Sequence, residues 1–236
     1  MSHWQQKIRS GFNRLLNMDD RLRDGKDNLA LQYLAPLTKG YLPWSRFAMR
    51  PSGMVKILND MVINQRFTVV ECGAGLTTVY VASLMRQQDK GHLYSLEHDA
   101  DWIAVVRDLL VQRGLESYVT FIHAPLVPSD LSLEGADWYD TAAIAPVIAD
   151  QKIDLLVVDG PPAYDEARRY ARYPAAPYFQ KNFSDNYAVV LDDINRFGEQ
   201  HVLTEWRRHI PGLQSKRFVN DGGVAICSNQ SGFTVG

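Results

Sequence analysis

Two hydrophobic periods divide the chain, and they change over near residue 65. Before that point apolar residues recur at helical spacing. Ile8, Phe12, Leu15 and Leu16 stand at i, i+4, i+7 and i+8, with Lys7, Arg9, Arg14, Arg21 and Arg23 around them. The pattern predicts an amphipathic helix. Such a stripe packs on the rest of the chain or on a second subunit; a membrane surface or nucleic acid is the alternative. Residues 39–51 (KGYLPWSRFAMRP) are dense in aromatics, glycine and proline and read as an ordered loop. Ser52 then stands where it could cap a helix running through Val55, Leu58 and Val62.

After residue 65, short β-branched runs alternate with helical ones. Strands are expected at 67–71, 93–97, 119–123, 153–159 and 187–192, the fourth (IDLLVVD) being the most apolar. Helices are expected at 77–88, 100–113, from 141 onward, within 163–182 and at 199–209. Segments 217–220 and 224–228 flank Asp221-Gly222-Gly223, a hairpin signal. The alternation implies right-handed crossovers and a doubly wound, Rossmann-like α/β sheet. The hairpin makes this seven-stranded sheet only mostly parallel, because its two strands run against one another. The chain thus divides into a helical extension or lid, 1–65, and a main domain, 66–236.

Composition narrows the classes. The length, 236 residues, suits one large domain with an appended segment, and 25 Lys plus Arg against 27 Asp plus Glu leave a charge of −2. That balance argues against a surface built to grip nucleic acid. No apolar run approaches a membrane span, and the first twenty residues carry no secretory signal pattern. Cys72 and Cys227 are the only cysteines, so no disulfide framework is expected. A cytoplasmic location is the expectation.

Ligands of open α/β sheets bind beyond the carboxyl ends of the strands. The first such end reads Glu71-Cys-Gly73-Ala74-Gly75-Leu-Thr77 and opens a helix. Its glycines let a ligand approach the main chain, and the helix start offers free N–H groups to an anion. A dinucleotide fingerprint would carry glycine where Thr78 stands. The second strand ends in Glu97-His98-Asp99, 22 residues after Gly75, where a carboxylate can accept both hydroxyls of a ribose.

With these motifs in place, the chain resembles class I S-adenosylmethionine-dependent methyltransferases. The resemblance spans 66–228 through VVECGAGLTT, LYSLEHD, IDLLVVDGPP, YAVVLDD and the final hairpin. It is nearest to a bacterial small-molecule O-methyltransferase subgroup. By this resemblance Gly73 and Gly75 line the methionine part of S-adenosylmethionine, Ala74, Thr77 and Thr78 belong to the same cofactor-binding turn, and Glu71 holds the cofactor's amino group. Glu97 takes the ribose, His98 flanks the adenine, Ala124 contacts it through the backbone, and Asp159 borders the cofactor. A D-P-P-Y loop of nucleic-acid amino-methyltransferases is not present, since Gly160 interrupts it and Ala163 takes the aromatic position.

Asp159 ends the fourth strand, and Asp192 and Asp193 end the fifth. Parallel neighbours lie about 4.8 Å apart, so these candidate catalytic carboxylates can converge. Three carboxylates without cysteine or histidine favour Mg²⁺, an arrangement similar to that of metal-dependent catechol-type and macrolide-sugar O-methyltransferases. A metal there would lower the pKa of an acceptor hydroxyl. Alternatively Asp159 acts as general base, while Asp192 and Asp193 cap the next turn or pair with Arg196 and Arg172. Tyr41, Trp44, Phe47, Trp138 and Tyr139 are lid aromatics or local packing. Arg168, Arg169 and Arg172 bind an acidic acceptor or pair with Asp165 and Glu166. The expected activity is methyl transfer to a hydroxyl of a small molecule. A metal-independent N- or protein methyltransferase and a non-catalytic cofactor-binding protein are the alternatives. No nucleic-acid or membrane partner is expected; a homodimer through the N-terminal helices is.

Overall fold

The structure, a computed structural model, describes residues 21–230 together with 232 and 233. The stripe of Ile8, Phe12, Leu15 and Leu16 lies outside the described residues. Residues 21–34 are helical (α1), followed by α2 (Pro51–Ile63), β1 (Thr68–Cys72), α3 (Leu76–Gln88), β2 (His92–Glu97) and α4 (Ala100–Val111). Next come β3 (Val119–His123), β4 (Leu126–Val127), β5 (Trp138–Tyr139), α5 (Thr141–Ile148) and β6 (Ile153–Val158). The chain continues through α6 (Ala175–Phe179), β7 (Phe183–Leu191), α7 (Phe197–His209), β8 (Gln214–Phe218) and β9 (Val224–Ser228).

Seven strands form one sheet in the order β3-β2-β1-β6-β7-β9-β8. Pairs from β3 to β7 are parallel, while β9 is antiparallel to both of its neighbours. Alternation along each strand feeds two cores. Leu156 and Val158 of β6 join Val70, Val189 and Leu191 under α5, α6 and α7, where Ile144, Phe179 and Trp206 close the layer. Leu155 and Val157 face the other way and join Val69, Leu93 and Val190 under α2 and α3. A sheet buried on both faces requires such continuous apolar runs. Among the described residues no helix is long and apolar enough to cross a membrane.

Several local expectations are corrected. Ser52 does not cap α2; it lies inside the first turn, and its backbone N–H and Oγ both donate to Asp27 Oδ1 of α1 (3.1 and 2.6 Å). Asp27 also pairs with Arg50 at 2.6 Å, so the cap arrives from 25 residues upstream. The helix expected within 163–182 shrinks to the five residues of α6, because Pro174 and Pro177 leave little room for a longer ladder. The first hairpin strand runs over Gln214–Phe218, earlier than 217–220, and the connection spans five residues. There Gly222 (φ +90°) packs so tightly on Gly53 of α2 that a Cβ on it would overlap the Gly53 backbone. The β4–β5 ribbon has no counterpart in the expected elements.

Candidate active site

The carboxyl ends of β1, β2, β6 and β7 surround a cavity of about 360 Å³ lined by Gly73, Ala74, Glu97, His98, Asp159, Asp192 and Asp193. Arg46 and Phe47 of the N-terminal segment and Tyr164 complete its mouth. A more apolar lobe of about 320 Å³ adjoins it, bounded by Phe47, Met49, Gly75, Leu76, Thr77, Trp102 and Val106. Gly73, Ala74, Trp102 and Asp159 border both spaces.

Close backbone packing explains the glycines. Gly73 has φ +96°, and a Cβ on it would lie 3.1 Å from Gly160 N. A Cβ on Gly160 would meet Tyr139 Oη at 2.5 Å and Gly73 Cα at 3.0 Å. The turns after β1 and β6 therefore touch, and Asp159 N–H donates to Cys72 O between them (3.0 Å). Thr78, standing in place of a third glycine, is fully buried. Its Oγ1 accepts from Gly75 N–H (2.9 Å) and donates to Glu71 Oε2 (2.6 Å). Ser95 Oγ donates to the same oxygen at 2.8 Å. Glu71 and Thr78 thus stand behind the cavity wall and brace the turn. Burial pushes the Glu71 carboxyl up to about 7, against the hydrogen bonds from Thr78 and Ser95.

Glu97 faces the cavity. Its Oε1 accepts from the N–H groups of His98 (2.7 Å) and Asp99 (3.0 Å) and lies 2.6 Å from His98 Nδ1. Its Oε2 accepts from Ala74 N–H at 3.1 Å. Burial alone would raise this carboxyl, but the bonds from His98 and Asp99 outweigh it and hold it below its ordinary range. It is therefore a rigid carboxylate with acceptor capacity left on Oε2. The Glu97 hydrogen bond raises His98 in turn, against burial. Ala124 is buried, and its N–H donates to Glu97 O (2.9 Å), so it supports the strand end from below.

Asp159, Asp192 and Asp193 come together, with one oxygen of each within 4.8 Å of the others. Asp193 adopts φ +59°, a left-handed conformation uncommon outside glycine. Burial raises Asp159 to about 7 although Arg172 opposes it, and raises Asp192 well above its ordinary value, with Asp159 and Asp193 adding repulsion. Burial and mutual repulsion thus favour a proton held by the pair. Arg172, 4% exposed, lies among them: its Nη2 is 3.2 Å from Asp159 Oδ1 and its Nη1 is 3.1 Å from Asp193 Oδ2. Arg196 also reaches Asp193 Oδ2, at 2.9 Å.

Three carboxylates are the donor chemistry of a hard cation. Here two of the three already face a buried guanidinium, so a resident Mg²⁺ does not fit unless Arg172 gives way. The expected pairing with Arg172 and Arg196 describes Asp193 but not the side chain of Asp192, and the contact of Arg172 with Asp159 is additional to it. Arg168 pairs with Asp165, and Arg169 with Glu166 and Glu134, away from this cluster. Trp138 is packed in the core, whereas Tyr139 reaches the cavity wall. Tyr41 is 86% exposed, and Trp44 packs on Tyr80. Trp102 was not anticipated: its Nε1–H donates to Ala74 O at 2.8 Å, fastening α4 to the glycine turn. An aromatic in the first turn of the helix after the Glu97 strand was the available signal. Cys72 is buried, and desolvation pushes its thiol far above the ordinary range, so it is a packing residue.

Solved structures share this architecture at low identity. A Staphylococcus aureus protein provisionally named a caffeoyl-CoA O-methyltransferase aligns over 86% of this chain and 92% of its own, with 13% identity and TM-score 0.55. An SAH-bound Podospora anserina methyltransferase aligns over 92% and 94%, with 12% identity and TM-score 0.53. The O-methyltransferase TomG of Streptomyces achromogenes, involved in tomaymycin synthesis and solved with SAM, aligns over 86% and 88%, with 14% identity and TM-score 0.50. No curated protein matches the sequence. A family profile described as "Methyltransferase domain" matches residues 70–194. That match takes in more than half of the chain and all the strand-end carboxylates of the cavity, and the chain belongs to this methyltransferase-domain family.

Proposed function

We propose that the chain binds S-adenosylmethionine in this cavity and methylates a hydroxyl of a small molecule. The observation that carries the reading is one cavity with two different carboxyl environments. At one end Glu97 is ionised and rigid beside a glycine turn; at the other Asp159 and Asp192 hold a proton near neutrality. Glu97 suits the ribose hydroxyls and His98 the adenine edge. Gly73, Ala74, Gly75 and Thr77 suit the methionine part, with the start of α3 offering N–H groups to its carboxylate. Bound there, the cofactor supplies an electrophilic methyl group on sulfur. Asp159, at the junction of the two lobes, accepts the proton of the acceptor hydroxyl on the carboxylate oxygen that Arg172 leaves free. Asp192 sets the proton occupancy of the pair, and Asp193 anchors the arginines.

Residues 1–65, taken as an extension, contribute Arg46, Phe47 and Ala48 to the wall, which supports a lid role and the exclusion of water during transfer. Calorimetry with S-adenosylmethionine, S-adenosylhomocysteine and NAD tests the cofactor, and a library of hydroxylated acceptors tests the reaction. Binding of the two sulfur compounds and not NAD is expected. Binding of NAD alone would end this reading.

A further inference from the structure

We propose that Arg172 takes the place among the strand-end carboxylates that a divalent cation would otherwise occupy, so that this chain works without a metal and Arg172 is the positioning residue for Asp159 and Asp193. The inference rests in part on the methyl-transfer reading, but its central measurement does not need turnover.

A guanidinium has five N–H donors in a rigid planar fork. Four hydrogen bonds and an ion pair engage all three nitrogens of Arg172. Nε faces Pro161 O at 3.4 Å; Nη1 faces Asp192 O at 3.3 Å and Asp193 Oδ2 at 3.1 Å; Nη2 faces Asp159 O at 2.8 Å and Asp159 Oδ1 at 3.2 Å. The side chain therefore ties the carbonyl ends of β6 and β7 to the carboxylates that follow them. Its charge is already matched by Asp159 and Asp193. It also gives Asp159 and Asp193 the positive partner that a metal would give them, at hydrogen-bonding and not ligand distance.

The arginine is also fixed from behind. Glu199, 1% exposed, stands 3.8 Å from Nη1. Gly198 presses on the carbonyl of Arg169, where any Cβ would overlap it. Trp206 Nε1–H donates to Tyr173 O at 2.8 Å. The segment on both sides of Arg172 is thus pinned to α7. Withdrawal of the guanidinium to admit a hexacoordinate ion would break these contacts and leave the buried Glu199 with Arg196 alone, at 3.7 Å. Mg²⁺ binds carboxylate oxygens directly at about 2.1 Å and fills the rest of its octahedron with water, whereas two of the three carboxylates here already face a buried guanidinium.

Mn²⁺ binding followed by electron paramagnetic resonance tests the proposal on the wild-type chain, with S-adenosylhomocysteine present and absent. No bound Mn²⁺ is expected, and turnover should be the same in EDTA and in excess Mg²⁺. Stoichiometric Mn²⁺ binding that Asp192→Ala abolishes, or turnover lost to chelator and restored by Mg²⁺, overturns the proposal. Arg172→Met is expected to lower kcat by about 100-fold through misplacement of Asp159, with calorimetric cofactor affinity unchanged and partial rescue by Arg172→Lys. Full activity in a folded Arg172→Met chain also overturns it. Failure of S-adenosylmethionine to bind would remove the cofactor reading and leave the Mn²⁺ result to decide this one.

Discussion

The contact between the turns after β1 and β6 gives the sharpest quantitative prediction. Replacing Gly160 with alanine adds one carbon at 2.5 Å from Tyr139 Oη, 3.0 Å from Gly73 Cα and 3.1 Å from Cys72 O. Two of these neighbours are main-chain atoms at the end of a central strand. The third belongs to a 1%-exposed tyrosine set edge-on to Trp138 at 5.7 Å. None can turn away as the tip of a flexible side chain would, so the turns must separate by roughly half an ångström or more. Overpacking of this kind costs about 1–3 kcal/mol, and 2 kcal/mol is about a 30-fold change in the folded-to-unfolded ratio. Urea denaturation at unchanged m-value is the assay, with Gly75→Ala as control. A Cβ on Gly75 meets nothing within 4 Å, and its φ of 174° is extended, so the control should stay within about 0.5 kcal/mol. Equal midpoints for Gly160→Ala and wild type, or a larger loss in the control, would refute the contact as the reason for glycine here.

Four further outcomes are expected. Glu97→Gln should weaken S-adenosylmethionine binding about tenfold or more, because a hydrogen bond to a charged acceptor contributes about 1.5–3 kcal/mol; calorimetry showing unchanged affinity would place the ribose elsewhere. Asp60→Ala strands the buried Arg66, whose Nη1 lies 2.6 Å from Asp60 Oδ2, and should cost about 3–5 kcal/mol of stability in denaturant titrations; a loss under about 1 kcal/mol counts against the pair. Glu71 is raised from 4.5 to about 7, so the folded chain binds the extra proton and its stability falls as pH climbs from about 4.5 to 7, on the order of 3 kcal/mol in all. Glu71→Gln should remove that share of the slope, and superimposable pH–stability curves for the two chains would contradict it. Turnover needs ionised Asp159 and should climb as pH rises through about 7; a flat kcat profile from about pH 6 to 8 argues against Asp159 as base.

The sheet was readable because most of its strands announce themselves locally. Runs such as 153–158 are buried on both faces and flanked by turn residues, and Asp221-Gly222-Gly223 marks the hairpin. Glu97 was readable for a similar reason, since one strand–helix unit fixes its distance from the glycine turn. What stayed hidden depends on distant partners. Asp27 caps α2 across 25 residues, and no window around Ser52 contains it. The two-residue strands β4 and β5 are too short to show a period. Thr78 and Glu71 belong to the first motif, yet helix phase and strand alternation turn them into the core. Pairing of Arg172 with Asp193 was one of two readings, but its contact with Asp159 depends on how the loop after β6 folds back and had no local signal.

The contact of Gly222 with Gly53 has a practical consequence. Hairpin tips normally accept added residues, and protein engineers choose them for tags and inserted domains. Here the tip is buried against the first turn of α2, and Lys56 of that helix reaches Asp221 at 2.9 Å. The same helix follows directly on residues 46–48 of the cavity wall. An insertion at 221–223 would push on the wall of the binding cavity from outside, so a reporter is better placed at Gly135 or Gly212, where an added carbon meets nothing.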